Sequence, residues 1–303
     1  MSVWRRPQVL LLFLAVLLLA TTFTRPTLQL ERPTYRYLFV FDITQSMNVM
    51  DIAGAAPRIT RLEYAKQTVQ KALSDLPCGT EAGLALFTGH RAFLLVTPIE
   101  ICAHYREISN MLGNIDWRMS WEFRSEIAKG IYKSIALSTQ LAAPTRLVFL
   151  TDGHEAPPID PALPPQFPRT KGAIKGLIVG VGGDRLAAIP KFDNKGTQTG
   201  YWKAEDLLHV DAFRQARAAL PGAAPGAGTE YLSSLREGYL QSLATNTGLG
   251  YHRLEDAENF AQRIKAQELS IPKMVTTDMR WLFALAALVA FISSYVIRVR
   301  DSG

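Results

Sequence analysis

The sequence predicts an α/β fold: a doubly wound, mostly parallel sheet with one antiparallel edge strand, flanked by an N-terminal and a C-terminal transmembrane helix. Three observations predict it. Strand-length apolar runs alternate with amphipathic helical stretches, two of those runs are separated only by Gly89 and His90, and an uncharged apolar segment lies near each end of the chain. Val/Ile/Leu-rich runs without polar alternation are the pattern of strands covered on both faces, as parallel strands are.

Taken in order, Val9 to Phe23 carries no charge and follows Arg5 and Arg6. No small-x-small cleavage site precedes Arg25-Pro26, so residues 1–27 are expected to be a retained signal-anchor. "RYLFVFDI" is the first buried strand. "RLEYAKQTVQKALSDL" places Leu62, Ala65, Val69 and Leu73 on one helical stripe with charges opposite. "AGLALFT" and "RAFLLVTP" flank the Gly89-His90 turn as a hairpin. "EICAHYREISNMLGNI" and "SEIAKGIYKSIALSTQL" read as helices, and "RLVFLTDG" and "AIKGLIVGVGG" as buried strands. "GYLQSLATNTG" is a helix ending at Gly248, "YHRL" a short strand, and "EDAENFAQRIKAQ" a last helix. The boundaries that follow are a domain over 34–268, a linker over 269–279, a span over 280–298 and a short tail over 299–303. Trp281 to Ile297 would rise roughly 26 Å as a helix, close to a bilayer core.

The sequence pI of about 9.3 suggests nucleic acid at first sight. Between residues 26 and 279, however, 27 basic residues face 26 acidic ones. The surplus lies in Arg5, Arg6, Arg25, Arg280, Arg298 and Arg300, beside the apolar segments, so it marks membrane flanks and no nucleic-acid partner is expected.

The strand-end stretch "FDITQSM" sets Asp42, Thr44 and Ser46 at alternate positions, able to converge on one point. In such sheets ligands bind beyond the carboxyl ends of the strands, at the switch point. Carboxylate and hydroxyl oxygens without His or Cys select a hard cation. Mg²⁺ is the first choice, and Ca²⁺ or Mn²⁺ would suit the same donors. "DITQS" with the later "LTDG" resembles the von Willebrand factor A domain and its metal-ion-dependent adhesion site, of signature D-x-S-x-S, a distant Thr and a distant Asp. The likeness covers roughly residues 34 to 268. It implies metal ligands at Asp42, Thr44, Ser46 and Asp152, with Ser125 of "SEIAKG" in place of the distant Thr and Ser120 as its competitor. Thr44 departs from the signature Ser but keeps the hydroxyl.

With apolar segments on both sides, the sequence is similar to the MoxR-associated, aerotolerance (Bat)-type bacterial proteins and to the methanol-oxidation accessory proteins of the Mxa kind. That resemblance implies a non-enzymatic module in the bacterial inner membrane with its domain in the periplasm. Its implied partners are a protein supplying an acidic side chain to the metal, other anchored proteins of this type and a MoxR-type AAA+ ATPase. The implied service is assembly or maturation of a respiratory or periplasmic enzyme.

A haloacid dehalogenase-type phosphatase using Asp42 is the enzyme alternative, but its second Asp falls at position 44, where Thr cannot supply a general acid. Asp51 and Glu155 read as solvated loop charges. Trp117, Arg118, Trp121 and Arg124, just before Ser125, are candidate partner-binding residues, since Trp and Arg are enriched in interface hot spots. "APPIDPALPPQFPR" reads as a stiff Pro-rich surface loop. A hairpin turning near His90 pairs positions whose numbers sum to about 180. Cys78 and Cys102, the two cysteines of the chain, satisfy that condition and are expected to form a disulfide in an oxidising compartment.

Overall fold

The computed structural model describes residues 7–53, 58–120, 124–159, 171–193, 195–204, 206 and 230–301. It divides into two compact units, residues 34–271 and residues 1–33 with 272–303.

In chain order the strands are β1 (Thr27–Thr34), β2 (Arg36–Asp42), β3 (Glu81–Thr88), β4 (Arg91–Glu100), β5 (Arg146–Thr151), β6 (Gly176–Gly180), β7 (Ala187–Ala188), β8 (Pro190–Phe192), β9 (Gln198–Tyr201), β10 (Leu232–Ser233), β11 (Gly250–Arg253) and β12 (Ile271–Asp278). The helices are α1 (Pro7–Thr22), α2 (Arg61–Ser74), α3 (Tyr105–Asn114), α4 (Ile127–Thr139), α5 (Glu237–Thr247), α6 (Ala257–Ile264) and α7 (Arg280–Asp301).

The larger unit is built on a six-stranded sheet of order β11-β6-β5-β2-β3-β4, in which β4 alone runs antiparallel. Its central strand explains the double winding. Along β2, Tyr37, Phe39 and Phe41 enter one core with Leu62, Val69 and Phe260, while Leu38 and Val40 enter the other with Ile131, Phe149 and Leu240. With period-2 alternation and apolar residues at every position, such a strand needs a helix layer on each face. Phe39 and Phe41 are both fully buried, each worth roughly 2–3 kcal/mol of transfer free energy.

The β3–β4 hairpin turns at Gly89, whose φ of +61° an L side chain adopts only under strain. Its register runs from Thr88–Arg91 to Glu81–Glu100, with irregularities near Leu84. Beyond the last pair, Cys78 and Cys102 are disulfide-bonded, with Cα atoms 5.4 Å apart. Glu100 lies beside them, but its carboxylate accepts the Gly79 and Ala103 amides and the thiols are consumed, so this cluster has no free ligands for a metal. The bridge pins the amino-end of β3, opposite the end that carries Asp42. Closing a loop with a sequence separation of 24 restricts the unfolded chain, worth about 3 kcal/mol. The Cys78→Ser/Cys102→Ser variant is expected to unfold in urea with a stability lower by about that amount. Equal stabilities would show that the unfolded chain gains nothing when the bridge is cut.

Four short strands, β7, β8, β9 and β10, add features that the sequence reading missed. The β8–β9 pair and the short β7–β10 pair are antiparallel two-stranded ribbons. They are too short for a period-2 signal.

In the smaller unit, α1 packs against α7 and β1 pairs with β12. Residues 269–279, expected to be a linker, are thus largely strand. Ile271, Val275 and Thr277 alternate with more exposed neighbours, a weak pattern that only pairing with a distant strand reveals. Among the described residues one helix is long and apolar enough to cross a membrane, at Arg280–Ile297. The α1 helix is apolar from Val9 to Ala20 but has 16 residues, short of the roughly 20 that a span needs.

Candidate functional site

Asp42 ends β2 and is fully buried. Its Oδ1 accepts the Thr44 amide (2.9 Å) and hydroxyl (2.7 Å), and its Oδ2 accepts the Thr151 hydroxyl (2.6 Å). Thr44 Oγ1 lies 3.4 Å from Ser46 Oγ. The chain leaves the strand at Ile43, whose amide still pairs with Phe87, and then winds one 3₁₀ turn over Gln45–Asn48. That turn brings the alternate hydroxyls together.

Ser125 reaches the same end of the sheet by another route. It forms isolated bridges to Gly89, just past β3, and to Ala156, just past β5. Its buried Oγ has no hydrogen-bond partner among the described residues. A buried hydroxyl without a partner costs free energy unless a ligand satisfies it. Ser120, the competitor, is engaged with the Thr88 hydroxyl.

Asp152, also fully buried, follows β5. Its Oδ1 accepts the His154 amide (2.9 Å), while its Oδ2 accepts Ser233 Oγ (2.8 Å) and Arg61 Nη1 (2.6 Å). Arg61 is the residue that sequence reasoning missed. Its side chain has no exposed surface, and Nη1 also approaches the Ser46 carbonyl at 3.3 Å. Helical Cα–Cβ bonds tilt toward the N-terminus, so the first residue of α2 projects its guanidinium off the helix end toward the strand ends. A signal did exist: Arg61 lies four residues before Ala65, on the buried stripe itself.

Two charges were misplaced as solvated. Asp51 grips the other edge of Arg61, with Nε–Oδ1 at 2.9 Å and Nη2–Oδ2 at 2.6 Å, and accepts the Gly183 amide at 3.0 Å. Burial works against its ionisation, but the Arg61 guanidinium holds the carboxyl below its ordinary range. Glu155 accepts the Ala128 amide at the start of α4 (2.9 Å) and the Tyr239 hydroxyl (2.6 Å). Both charges are held because their loops fold back onto the sheet, which nearby sequence does not reveal.

Burial, then the neighbouring Asp152 carboxylate, pushes Asp42 up to about 7 despite its hydroxyl donors. Burial likewise pushes Glu155 up to about 7, against its hydrogen bonds from Tyr239 and the α4 amides. A carboxyl whose folded pKa exceeds its unfolded value binds more protons when folded. Stability in EDTA is therefore expected to fall as pH rises from about 4.5 to about 7. Glu155→Gln keeps an acceptor and removes the charge, and should raise stability at pH 8 by up to about 3 kcal/mol. Urea titrations at pH 5 and pH 8 check this; an unchanged pH slope in the variant would remove Glu155 as a cause.

Of the candidate partner-binding residues, Trp117 packs on the core beside Phe192, ring centroids 5.1 Å apart. Arg118 is exposed and paired with Asp116, and Arg124 is half-buried. Trp121 lies outside the described residues, as does 160–169 of the Pro-rich stretch.

Asp42, Thr44 and Ser46 are brought together, Asp152 stands behind them on Arg61, and Ser125 arrives at the same strand ends. The donors are oxygens throughout, and Ser125 Oγ is left over, so the residues fit a hard divalent cation. Arrangement and fold define a mixed α/β module whose candidate site lies at the carboxyl end of a mostly parallel sheet.

No family model matches the chain. Two solved structures share the fold, each with a TM-score of 0.50. One is an aerotolerance-related membrane protein from Bacteroides fragilis, 18% identical, matched over 75% of this chain and 95% of that one. The other is the conserved hypothetical protein BatB from Bacteroides thetaiotaomicron, 19% identical, matched over 76% and 94%. In sequence, a UPF0353 protein of Mycolicibacterium paratuberculosis is 27% identical over 168 residues, covering 54% of this chain and 48% of its own. A UPF0353 protein of Mycobacterium tuberculosis is 25% identical over 174 residues, covering 54% and 48%. The chain thus spans about half the length of the curated relatives it matches.

Proposed function

We propose that this is a membrane-anchored von Willebrand factor A-type module that binds partner proteins through a divalent cation, Mg²⁺ foremost. The observation that carries the reading is the buried Ser125 Oγ, without a partner among the described residues, at the strand ends that hold Asp42, Thr44 and Ser46. Asp42, Ser46 and Ser125 would hold the cation, with Thr44 and Asp152 beside them. When bound, the cation supplies a Lewis-acidic point that can accept a carboxylate from a partner. Thr44 orients Asp42 through its amide and hydroxyl, Thr151 fixes the second oxygen, and the bridges of Ser125 to Gly89 and Ala156 hold its hydroxyl in place.

The setting follows from the fold likeness and the apolar segments. We place the protein in a bacterial inner membrane, anchored by α7 and by α1 as a second, shorter anchor, with the 34–271 unit in the periplasm. The Cys78–Cys102 disulfide supports an oxidising compartment. By analogy with Bat-type proteins, the module serves a MoxR-type AAA+ ATPase system and other anchored modules in assembling a respiratory or periplasmic enzyme. The phosphatase alternative has no support from Thr44, whose hydroxyl is spent on Asp42.

Crosslinking in native membranes, with Mg²⁺ or with EDTA, tests the reading. Partners captured with Mg²⁺ and lost with EDTA or in Asp42→Ala are the expected result. Capture that ignores the chelator, or turnover on phosphate esters, would overturn it.

A further inference from the structure

Asp152 has little left to offer a cation directly. A carboxylate has about four lone-pair positions. Here Oδ2 receives Arg61 Nη1 and Ser233 Oγ, and Oδ1 receives the His154 amide. Arg61 is itself immobilised: Asp51 grips Nε and Nη2, and the Ser233 carbonyl lies 3.3 Å from Nη2. A guanidinium fork held by a bidentate carboxylate is rigid as well as charged. Its Nη1 also sits 3.3 Å from the backbone carbonyl of Ser46, so the same fork that holds Asp152 also touches the turn that carries the site's hydroxyls.

We propose that the Asp51–Arg61 pair is a positioning device that turns Asp152 inward and holds it as an outer-sphere partner of the bound cation. The inference rests on the cation reading above. Direct coordination is thereby left to Asp42 and the hydroxyls, and the cation keeps one more exchangeable position for an incoming carboxylate than it would with Asp152 bound. The β7–β10 ribbon belongs to the device, because pairing of Ser233 with Ala187 sets the Ser233 hydroxyl against Asp152. The clamp holds affinity down in exchange for an open position.

The Arg61→Met/Asp51→Asn double variant removes the clamp without changing the site's net charge, since one base and one acid go together. The full chain in detergent is loaded with Eu³⁺, and emission lifetimes in H₂O and D₂O count inner-sphere waters, while calorimetry gives Mg²⁺ affinity. In the variant the water count is expected to fall by about one and Mg²⁺ binding to tighten by about tenfold as Asp152 moves onto the metal. An unchanged count and affinity in a variant with native circular dichroism would overturn the proposal. Should the double variant fail to fold, Ser233→Ala removes one donor from Asp152 Oδ2 and leaves Arg61 in place. It should tighten Mg²⁺ by about threefold through the same release, and an unchanged affinity overturns the proposal equally. A wild-type chain that binds neither Eu³⁺ nor Mg²⁺ removes the cation reading itself, whereas binding that Asp42→Ala abolishes, with no response to the clamp variants, removes only the clamp.

Discussion

Replacing Asp42 by Ala is expected to weaken Mg²⁺ binding by at least about 100-fold while the domain stays folded, because the site loses its most directly placed charge. The two halves of this result have separate causes. In the cation-free protein the Asp42 carboxyl is buried beside Asp152 and pushed up to about 7, so its negative charge is not what holds the fold together. Ala leaves the Thr44 and Thr151 hydroxyls to find other acceptors, a cost of about 1–3 kcal/mol. Relief of the repulsion with Asp152 offsets part of it. With the cation the balance reverses, since hydroxyls alone cannot neutralise a divalent ion. Thermal unfolding with and without Mg²⁺ reads both halves. A wild-type domain at a ligand concentration of 100 Kd gains about 2.7 kcal/mol, and the variant should gain almost nothing. An undiminished Mg²⁺ shift in Asp42→Ala would put the cation elsewhere.

Arg61→Met alone should cost about 3–5 kcal/mol of stability, the penalty for breaking a buried ion pair by removing one partner. Met matches much of the apolar stem, so packing changes little. What changes is that Asp152, with no exposed surface, and Asp51, at 16%, lose their counter-charge together. Adding Asp51→Asn should restore part of the loss, because one stranded carboxylate is then neutral. That restoration separates a charge effect from a packing effect in urea titrations. A single variant within about 1 kcal/mol of wild type would mean the pair contributes no more than a surface salt bridge.

Much of this molecule was legible in the sequence because its signals are local. A strand covered on both faces must be apolar at every position, as "RYLFVFDI" is. Alternate spacing after a strand end puts Asp42, Thr44 and Ser46 within reach of one another whatever the rest of the chain does. The near-symmetry of Cys78 and Cys102 about Gly89-His90 follows from antiparallel pairing, and the bridge falls just beyond the Glu81–Glu100 pair, within one residue of the register that the irregularities near Leu84 leave there. These arguments need only a strand, a turn and covalent geometry.

What tertiary structure decided concerns partners far apart along the chain. Arg61 and Asp152 are 91 residues apart, Arg61 and Ser233 are 172 apart, and Asp51 meets Gly183 across 132. Nothing near Arg61 marks it as buried except its place on an apolar stripe, where charge argues the opposite. An arginine is tolerable there because two counter-charges meet it, Asp51 from the loop before α2 and Asp152 from the end of β5, and only folding brings both into place. The same holds for β1 and β12, whose backbone groups each find a partner across more than two hundred residues. Local sequence determined the strands of the main sheet, the helices that cover it and which oxygens gather at a strand end. Long-range assembly decided which charges could be buried among them, because the free energy of a buried charge depends on what surrounds it.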